Sequence, residues 1–104
     1  MDGVITLMTS VVTRDKYGVE GETFTPRDVF CKVDSITRAE FYQAGRNGLN
    51  PEFKFTIFAE DYQGERVCKY NDASYAIYRT YRTDNDYMEL YVQREGGTNG
   101  KGNS

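Results

Sequence analysis

The chain has no histidine and no tryptophan, and only two cysteines and two prolines in 104 residues. Without histidine the commonest general base and metal ligand is missing, and neither cysteine has an imidazole to activate it. Nucleophilic triads and zinc centres of the usual kind are thereby excluded, and the expectation is a protein that is not an enzyme and holds no metal or other cofactor. Cys31 and Cys68 stand far apart in strand-like runs without CxxC spacing. They read as buried thiols in a reducing compartment, with a single disulfide as the other reading. Positive charge is also scarce: 13 Lys and Arg against 16 Asp and Glu leave a net charge of -3, the wrong sign for gripping phosphates by counterion release. Tight nucleic-acid binding is disfavoured, while passing contact is not.

Long apolar runs are absent as well. The opening MDGVITLMTSVV lacks the basic start and continuous apolar core of a signal peptide, so a soluble chain without membrane contact is expected. No Gly-rich phosphate loop is present. Asp84-x-Asp86 resembles the start of a calcium loop, but the Gly and the terminal Glu of that pattern are missing. Glu60-Asp61 and the Asp84/Asp86 pair fall in expected turns, where carboxylates serve local hydrogen bonds.

What is abundant is the aromatic residue of moderate polarity: nine Tyr and six Phe, a composition that suits pleated, half-buried surfaces. The length fits one domain. Residues 4–13 are rich in β-branched side chains, residues 14–21 supply a turn, and residues 23–34 resume an extended pattern, predicting a long hairpin. Pro26 lacks a ladder donor and places the start of the second run at an edge or bulge, while Val29, Cys31 and Val33 line one face further on. From Phe53 the alternation is clean, with Phe53, Phe55, Ile57 and Ala59 on one face and Lys54, Thr56 and Phe58 on the other. Residues 60–65 read as a polar turn, 66–70 as a short strand broken by Asn71-Asp72, 75–81 as a strand, 83–86 as a tight turn, and 87–94 as a last strand with Met88, Leu90 and Val92 inward. The expected fold is all-β: a small antiparallel barrel or sandwich of about six strands over residues 1–94, followed by a disordered tail at 95–104.

One segment interrupts the strand pattern. In residues 35–50 (SITRAEFYQAGRNGLN), Ser35 or Thr37 can cap a short helix, residues 39–44 are compatible with one or two turns, and Gly45 can stop it. Asn47-Gly48 and Asn50-Pro51 follow as chain-reversing signals. A helix this short is marginal in water, so unless it packs on something it is expected to be mobile. Tyrosine is the second signal. Tyr75, Tyr78, Tyr81, Tyr87 and Tyr91 crowd the last hairpin, and alternation puts them on both faces. Cross-strand packing accounts for some of them. Tyr78, Tyr81, Tyr87 and Tyr91, with Tyr17 in the first turn, are the candidates for a protein interface.

Several stretches in order resemble one family: Thr13-Arg14-Asp15-Lys16-Tyr17-Gly18, Glu22-Thr23-Phe24, Val29-Phe30-Cys31-Lys32-Val33, Arg38-Ala39-Glu40-Phe41-Tyr42-Gln43-Ala44, Phe55-Thr56-Ile57, Arg66-Val67, Tyr75-x-Ile77, and the last strand from Met88 to Val92. Together, over about residues 4–94, they resemble the bacteriophage head–tail joining proteins, the head-closure or stopper proteins of long-tailed phages. That family often carries Trp where this chain has Phe30, and its chains are commonly more basic. The resemblance implies a non-catalytic β-barrel subunit of the virion's head–tail interface, assembled in the bacterial host cytoplasm into a ring, typically of twelve copies. Such a ring sits beneath the portal and its adaptor, closes the DNA channel after packaging and offers a docking surface for a tail-completion or tail protein. The loop between the second and third strands projects into the channel in that family, which places Arg38, Glu40, Phe41, Tyr42, Gln43, Arg46, Asn47 and Gly48 at the gate, in transient contact with double-stranded DNA. Arg38 and Arg46 are set against Glu40 and Glu52 in this segment, so the sequence leaves its sign open. Steric closure rather than tight DNA binding is expected.

Three other readings stand beside this one. The first is a different neck protein, such as a tail-completion protein. The second is an oligonucleotide-binding-type barrel that takes single-stranded nucleic acid on the tyrosine-rich hairpin. The third is a chaperone or inhibitor domain whose exposed edge, at the Pro26-broken strand, recruits a partner strand.

Overall fold

The fold is that of a computed structural model, which describes residues 2–95. Six strands form a closed antiparallel barrel: β1 (Asp2–Arg14), β2 (Glu20–Ser35), β3 (Pro51–Phe58), β4 (Val67–Tyr70), β5 (Ala73–Arg82) and β6 (Tyr87–Arg94). One helix, α1 (Arg38–Gly45), lies between β2 and β3, and a single 3-10 turn (Ala59–Asp61) follows β3. Around the barrel the order is β1-β2-β3-β6-β5-β4, with β4 closing onto β1. The all-β barrel with a helical insertion between the second and third strands is thus as the sequence predicts. From residue 96 onward the expected tail lies outside the described residues.

Alternation builds the interior. Ile5 and Leu7 from β1, Val29, Cys31 and Val33 from β2, Phe55 and Ile57 from β3, Cys68 from β4, Tyr75 from β5, and Leu90 and Val92 from β6 make one buried cluster. Phe53, Tyr70, Tyr75 and Phe55 close one end of it with edge-to-face and stacked rings 5.2–6.4 Å apart. Both thiols are free and buried. Removal from water pushes Cys31 up to about 11 and Cys68 up to about 12.

The first hairpin is longer than the pattern suggests. Its ladder runs unbroken from Asp2↔Lys32 to Arg14↔Glu20, and an Arg14–Glu20 ion pair at 2.9 Å joins its last pair. Asp15 makes the turn, accepting from the Tyr17 and Val19 N–H groups at 2.8 and 2.9 Å, and Gly18 takes the left-handed φ of +79°. β2 meets β3 only from Lys32 to Ser35. Before that point the edge of β2 facing β3 has no strand beside it, which is how Pro26 is accommodated. Residues 10–26 therefore leave the barrel as a two-stranded ribbon, every residue of it exposed.

Elsewhere the structure redraws some boundaries. Pro51 does not reverse the chain but starts β3 as a buried residue, with a register shift between it and Phe53. Ala59 falls in the 3-10 turn rather than in β3, and stays buried there. Asn71 and Asp72 both take positive φ, 50° and 65°, and form the two-residue turn between β4 and β5.

The stretch expected to be a simple polar turn, residues 60–65, hides a carboxylate. Glu65 is 4% exposed. It accepts from the Thr9 hydroxyl at 2.6 Å, the Gln63 N–H at 2.7 Å and Arg27 Nη2 at 3.0 Å. Arg27 also donates to the Asp61 carbonyl, and the Tyr62 hydroxyl donates to the Glu65 carbonyl at 2.7 Å. Together these bonds clamp the loop after β3 to the root of the ribbon.

Candidate functional site

The insertion is built from short-range signals. The Thr37 side chain accepts the Glu40 N–H at 3.2 Å and opens α1, so Thr37 rather than Ser35 is the cap. Gly45 is the last helical residue, but it is not the left-handed stop. The chain leaves through Arg46 in helical conformation, with Asn47 and Leu49 N–H groups both donating to the Ala44 carbonyl, and Gly48 takes φ +78°. A left-handed residue is needed only once the turn is complete, and Gly48 is the residue there. Asn47 Nδ2 donates to the Gln43 carbonyl at 3.3 Å, and the Asn50 N–H donates to Gln93 on β6 at 2.9 Å.

Eight residues of helix do not hold themselves, and α1 does not have to. Ala44 is buried, and Glu40 reaches β5, where its two oxygens accept from the Tyr78 hydroxyl at 2.8 Å and from Arg79 Nη2 at 2.5 Å. The expected mobile loop is therefore a docked helix. A β-bulge makes this contact available: the β5–β6 register shifts between Ile77 and Arg79, leaving Tyr78 as the extra residue. The latch continues along the sheet. Arg79 lies over the Tyr91 ring at 4.0 Å, the Tyr91 hydroxyl donates to Glu89 Oε1 at 2.7 Å, and Lys54 pairs with Glu89 at 3.3 Å. Burial, with the Glu40 carboxylate as acceptor, holds the Tyr78 hydroxyl well above its usual range. Burial and Glu89 push Tyr91 up to about 12.

This arrangement decides the sign that the sequence leaves open. Glu40 is committed to β5, and Glu52 pairs with Arg94 at 3.6 Å. Among the described residues neither Arg38 nor Arg46 makes an ion pair. The outward face of the insertion thus carries two uncompensated guanidinium groups beside Phe41 and Tyr42, whose rings meet edge to face at 6.2 Å with both residues exposed. Gln43, Asn47 and Gly48 are exposed on the same segment. Of the eight gate residues named from sequence, Glu40 alone turns inward.

The tyrosines do not form one surface. Tyr75 is in the core, Tyr78 and Tyr91 belong to the latch, and Tyr17 is exposed at the ribbon tip with Lys16 over its ring at 5.2 Å. Tyr81 is exposed near the end of β5, and Tyr87 stacks on Phe58 at 5.2 Å. The Asp84 carboxylate accepts the Asp86 and Tyr87 N–H groups at 2.8 and 2.9 Å, a turn-making role. Arg82 donates to the Asp84 and Asn85 carbonyls in the same turn. Among the described residues no group of three or more His, Cys, Asp or Glu side chains gathers where a metal ion could be held, and no helix is long and apolar enough to cross a membrane.

Sequence reasoning missed three things here: the part of Arg79 in the latch, the buried Glu65, and a groove of about 830 Å³ between β2 and β3 with Phe30 and Phe58 in its lining. The first had a faint signal. Tyr75, Tyr78 and Tyr81 recur every three residues, which a strand of period two accommodates only with a bulge or by alternating faces. No family model matches this chain, and no curated protein matches it.

Proposed function

We propose that the chain is a structural subunit of a phage head–tail connector, a ring component that closes the DNA channel after packaging and presents a surface to which the tail attaches. The observation that carries this reading is the placement of a docked helical insertion between the second and third strands of a closed six-strand barrel, with its aromatic and basic side chains turned outward. The ordered run of sequence motifs supports it from the other side. In this reading the portal or its adaptor lies above the ring, and a tail-completion or tail protein below it. The virion's head–tail interface is its place of work.

Closure is steric. Phe41 and Tyr42 supply bulk, and Arg38 and Arg46 supply a weak, salt-sensitive attraction for phosphate that a ring multiplies by its copy number. The net charge of -3 keeps the rest of the subunit from adhering to DNA. The tyrosine platform that a single-strand binder would use is divided between the core, the latch and two separate surface positions, which favours the connector over that reading.

Shortening the insertion at residues 42–49 in phage is the test. The expected result is heads that package DNA and lose it, with rings still formed on the portal. Full DNA retention with intact rings defeats the gating role, and incorporation below the ring rather than at the portal side assigns the chain to tail completion instead.

A further inference from the structure

Asn47 and Asn99 each precede a glycine, and Asn99 lies outside the described residues. Asparagine is chemically labile, because the backbone nitrogen after it can attack the side-chain amide carbon. That attack needs a follower with no side chain in the way. Among the described asparagines Asn47 alone meets this condition. Asn50 precedes Pro51, whose nitrogen has no proton to lose. Asn71 and Asn85 each precede an aspartate, and the Asp86 N–H is already donated to the Asp84 carboxylate at 2.8 Å. Asn47 and Gly48 are both exposed, and nothing lies within 4 Å of where a Gly48 Cβ would stand.

We infer that Asn47 is a modification site: its side-chain amide is lost to its own backbone neighbour, and the aspartate or isoaspartate that results unfastens the end of α1. In the first step the Gly48 nitrogen gives its proton to solvent and bonds to Asn47 Cγ. The Cγ–Nδ2 bond breaks, and the amide nitrogen leaves as ammonia with a proton from water. Water then adds to one of the two carbonyls of the five-membered imide and cleaves its bond to the ring nitrogen. One amide and one water are consumed, one carboxylic acid and one ammonia are formed, and no oxidant or reductant is needed.

The fold restrains this reaction and is loosened by its product. The Gly48 N–H donates to the Gly45 carbonyl at 3.1 Å, and Asn47 Nδ2 donates to the Gln43 carbonyl at 3.3 Å, so nucleophile and leaving group are both held in the turn. They are freed together when the turn opens, and the rate follows the population of open turns. Docking of α1 through Glu40 and Tyr78 keeps that population small. The product reverses the contact. A carboxylate at position 47 has no proton to donate and faces the Gln43 carbonyl at the negative end of the helix dipole. Isoaspartate also routes the main chain through an extra methylene, which draws the Gly48 and Leu49 N–H groups away from the Gly45 and Ala44 carbonyls. The new charge stands next in sequence to Arg46 and offsets its guanidinium. None of this depends on what the insertion touches, so it stands apart from channel closure.

The experiment incubates the full chain at mildly alkaline pH, folded and in urea, and follows the peptide containing Asn47 and Gly48 by mass spectrometry for exchange of amide for acid and for isoaspartate. In the folded chain Asn47 should convert ahead of Asn50, Asn71 and Asn85, and about tenfold to a hundredfold more slowly than in urea. Tyr78→Phe should convert about fivefold faster than the wild type when folded and at the wild-type rate in urea, which separates the latch from the local chemistry. Asn47→Gln cannot close the five-membered ring and should stay intact. Asn47→Asp, the product itself, should quicken amide exchange over residues 38–49 at least about threefold, with protection in β3, β5 and β6 unchanged. Equal rates folded and in urea, no detectable conversion of folded Asn47 over many half-lives of the unfolded chain, a folded Tyr78→Phe no faster than the wild type, or Asn47→Asp with unaltered exchange over 38–49 overturns the inference.

Discussion

At the scale of single residues, Glu65 has the most to lose. Burial alone would raise its pKa, but the bonds from Thr9, Gln63 and Arg27 outweigh that and hold the carboxyl below its usual range. Because the folded value lies below the unfolded one, the stability it contributes is fully present above about pH 4.3 and fades as pH falls through the folded pKa. Glu65→Gln keeps the shape and removes the charge. It should cost about 2 kcal/mol at neutral pH, less than the full penalty for splitting a buried pair because Arg27 is partly open to water. It should also flatten the acid limb of stability against pH, as read from urea unfolding across that range; an unchanged limb would mean the carboxylate does not hold the ribbon root. The two thiols make a second test at this scale. With Cys31 held near 11 and Cys68 near 12, both are protonated at neutral pH; the core encloses Cys68 fully, and Cys31 is buried at the edge of the groove between β2 and β3. A thiol reagent should label neither in the native protein and both on unfolding, with a rate that follows opening of the barrel, whereas fast labelling would place one of them at the surface.

At the scale of elements, the latch between α1 and β5 is decisive. Tyr78→Phe removes a single hydroxyl donated to Glu40 and leaves the ring in place. The expected cost is about 1 kcal/mol, confined to the insertion: amide exchange over residues 38–49 should quicken while protection in β3, β5 and β6 is unchanged. A uniform loss across the barrel would make the helix part of its cooperative core rather than a docked element. The Tyr78 pKa is raised, so the latch persists through the pH at which an unfolded tyrosine ionises and opens as pH climbs through the folded value. The helix itself was legible in the sequence, because Thr37, Ala39 and Ala44 are local signals read within one turn. Its docking was not. Glu40 meets residues 38 and 39 positions away, and only the bulge at Tyr78 aims that ring at it. No local pattern encodes which strand a carboxylate will reach. For the same reason Arg38 and Arg46 could be named but not known to be uncompensated.

At the scale of the whole molecule, the class and the inward faces follow from period-two patterning, which is why Val29, Cys31, Val33, Phe55, Ile57, Leu90 and Val92 fall where the sequence puts them. The strand order does not follow, because β3–β6 and the two-pair closure Thr6↔Lys69 and Leu7↔Cys68 join segments far apart in the chain, and many orders bury the same residues equally well. The ribbon separates the molecule into a part that folds and a part that reaches. Beyond Thr9 its residues add nothing to the core, and an isolated two-stranded hairpin is barely stable by itself. The continuous ladder and the Thr9–Glu65–Arg27 clamp at its root hold it together. Val11 and Thr23 are register partners, so residues 12–22 can be replaced by Asn-Gly in a two-residue turn without disturbing the clamp. The shortened chain should melt within about 3 °C of the parent, with a slightly smaller denaturant slope because less surface is exposed on unfolding. A shorter loop also costs less entropy to close, which offsets the few cross-strand contacts removed. Cooperative unfolding with an unchanged midpoint marks the ribbon as an arm outside the folding unit. A large fall in the melting temperature would instead make it part of the folding unit, and the division between barrel and arm would not hold.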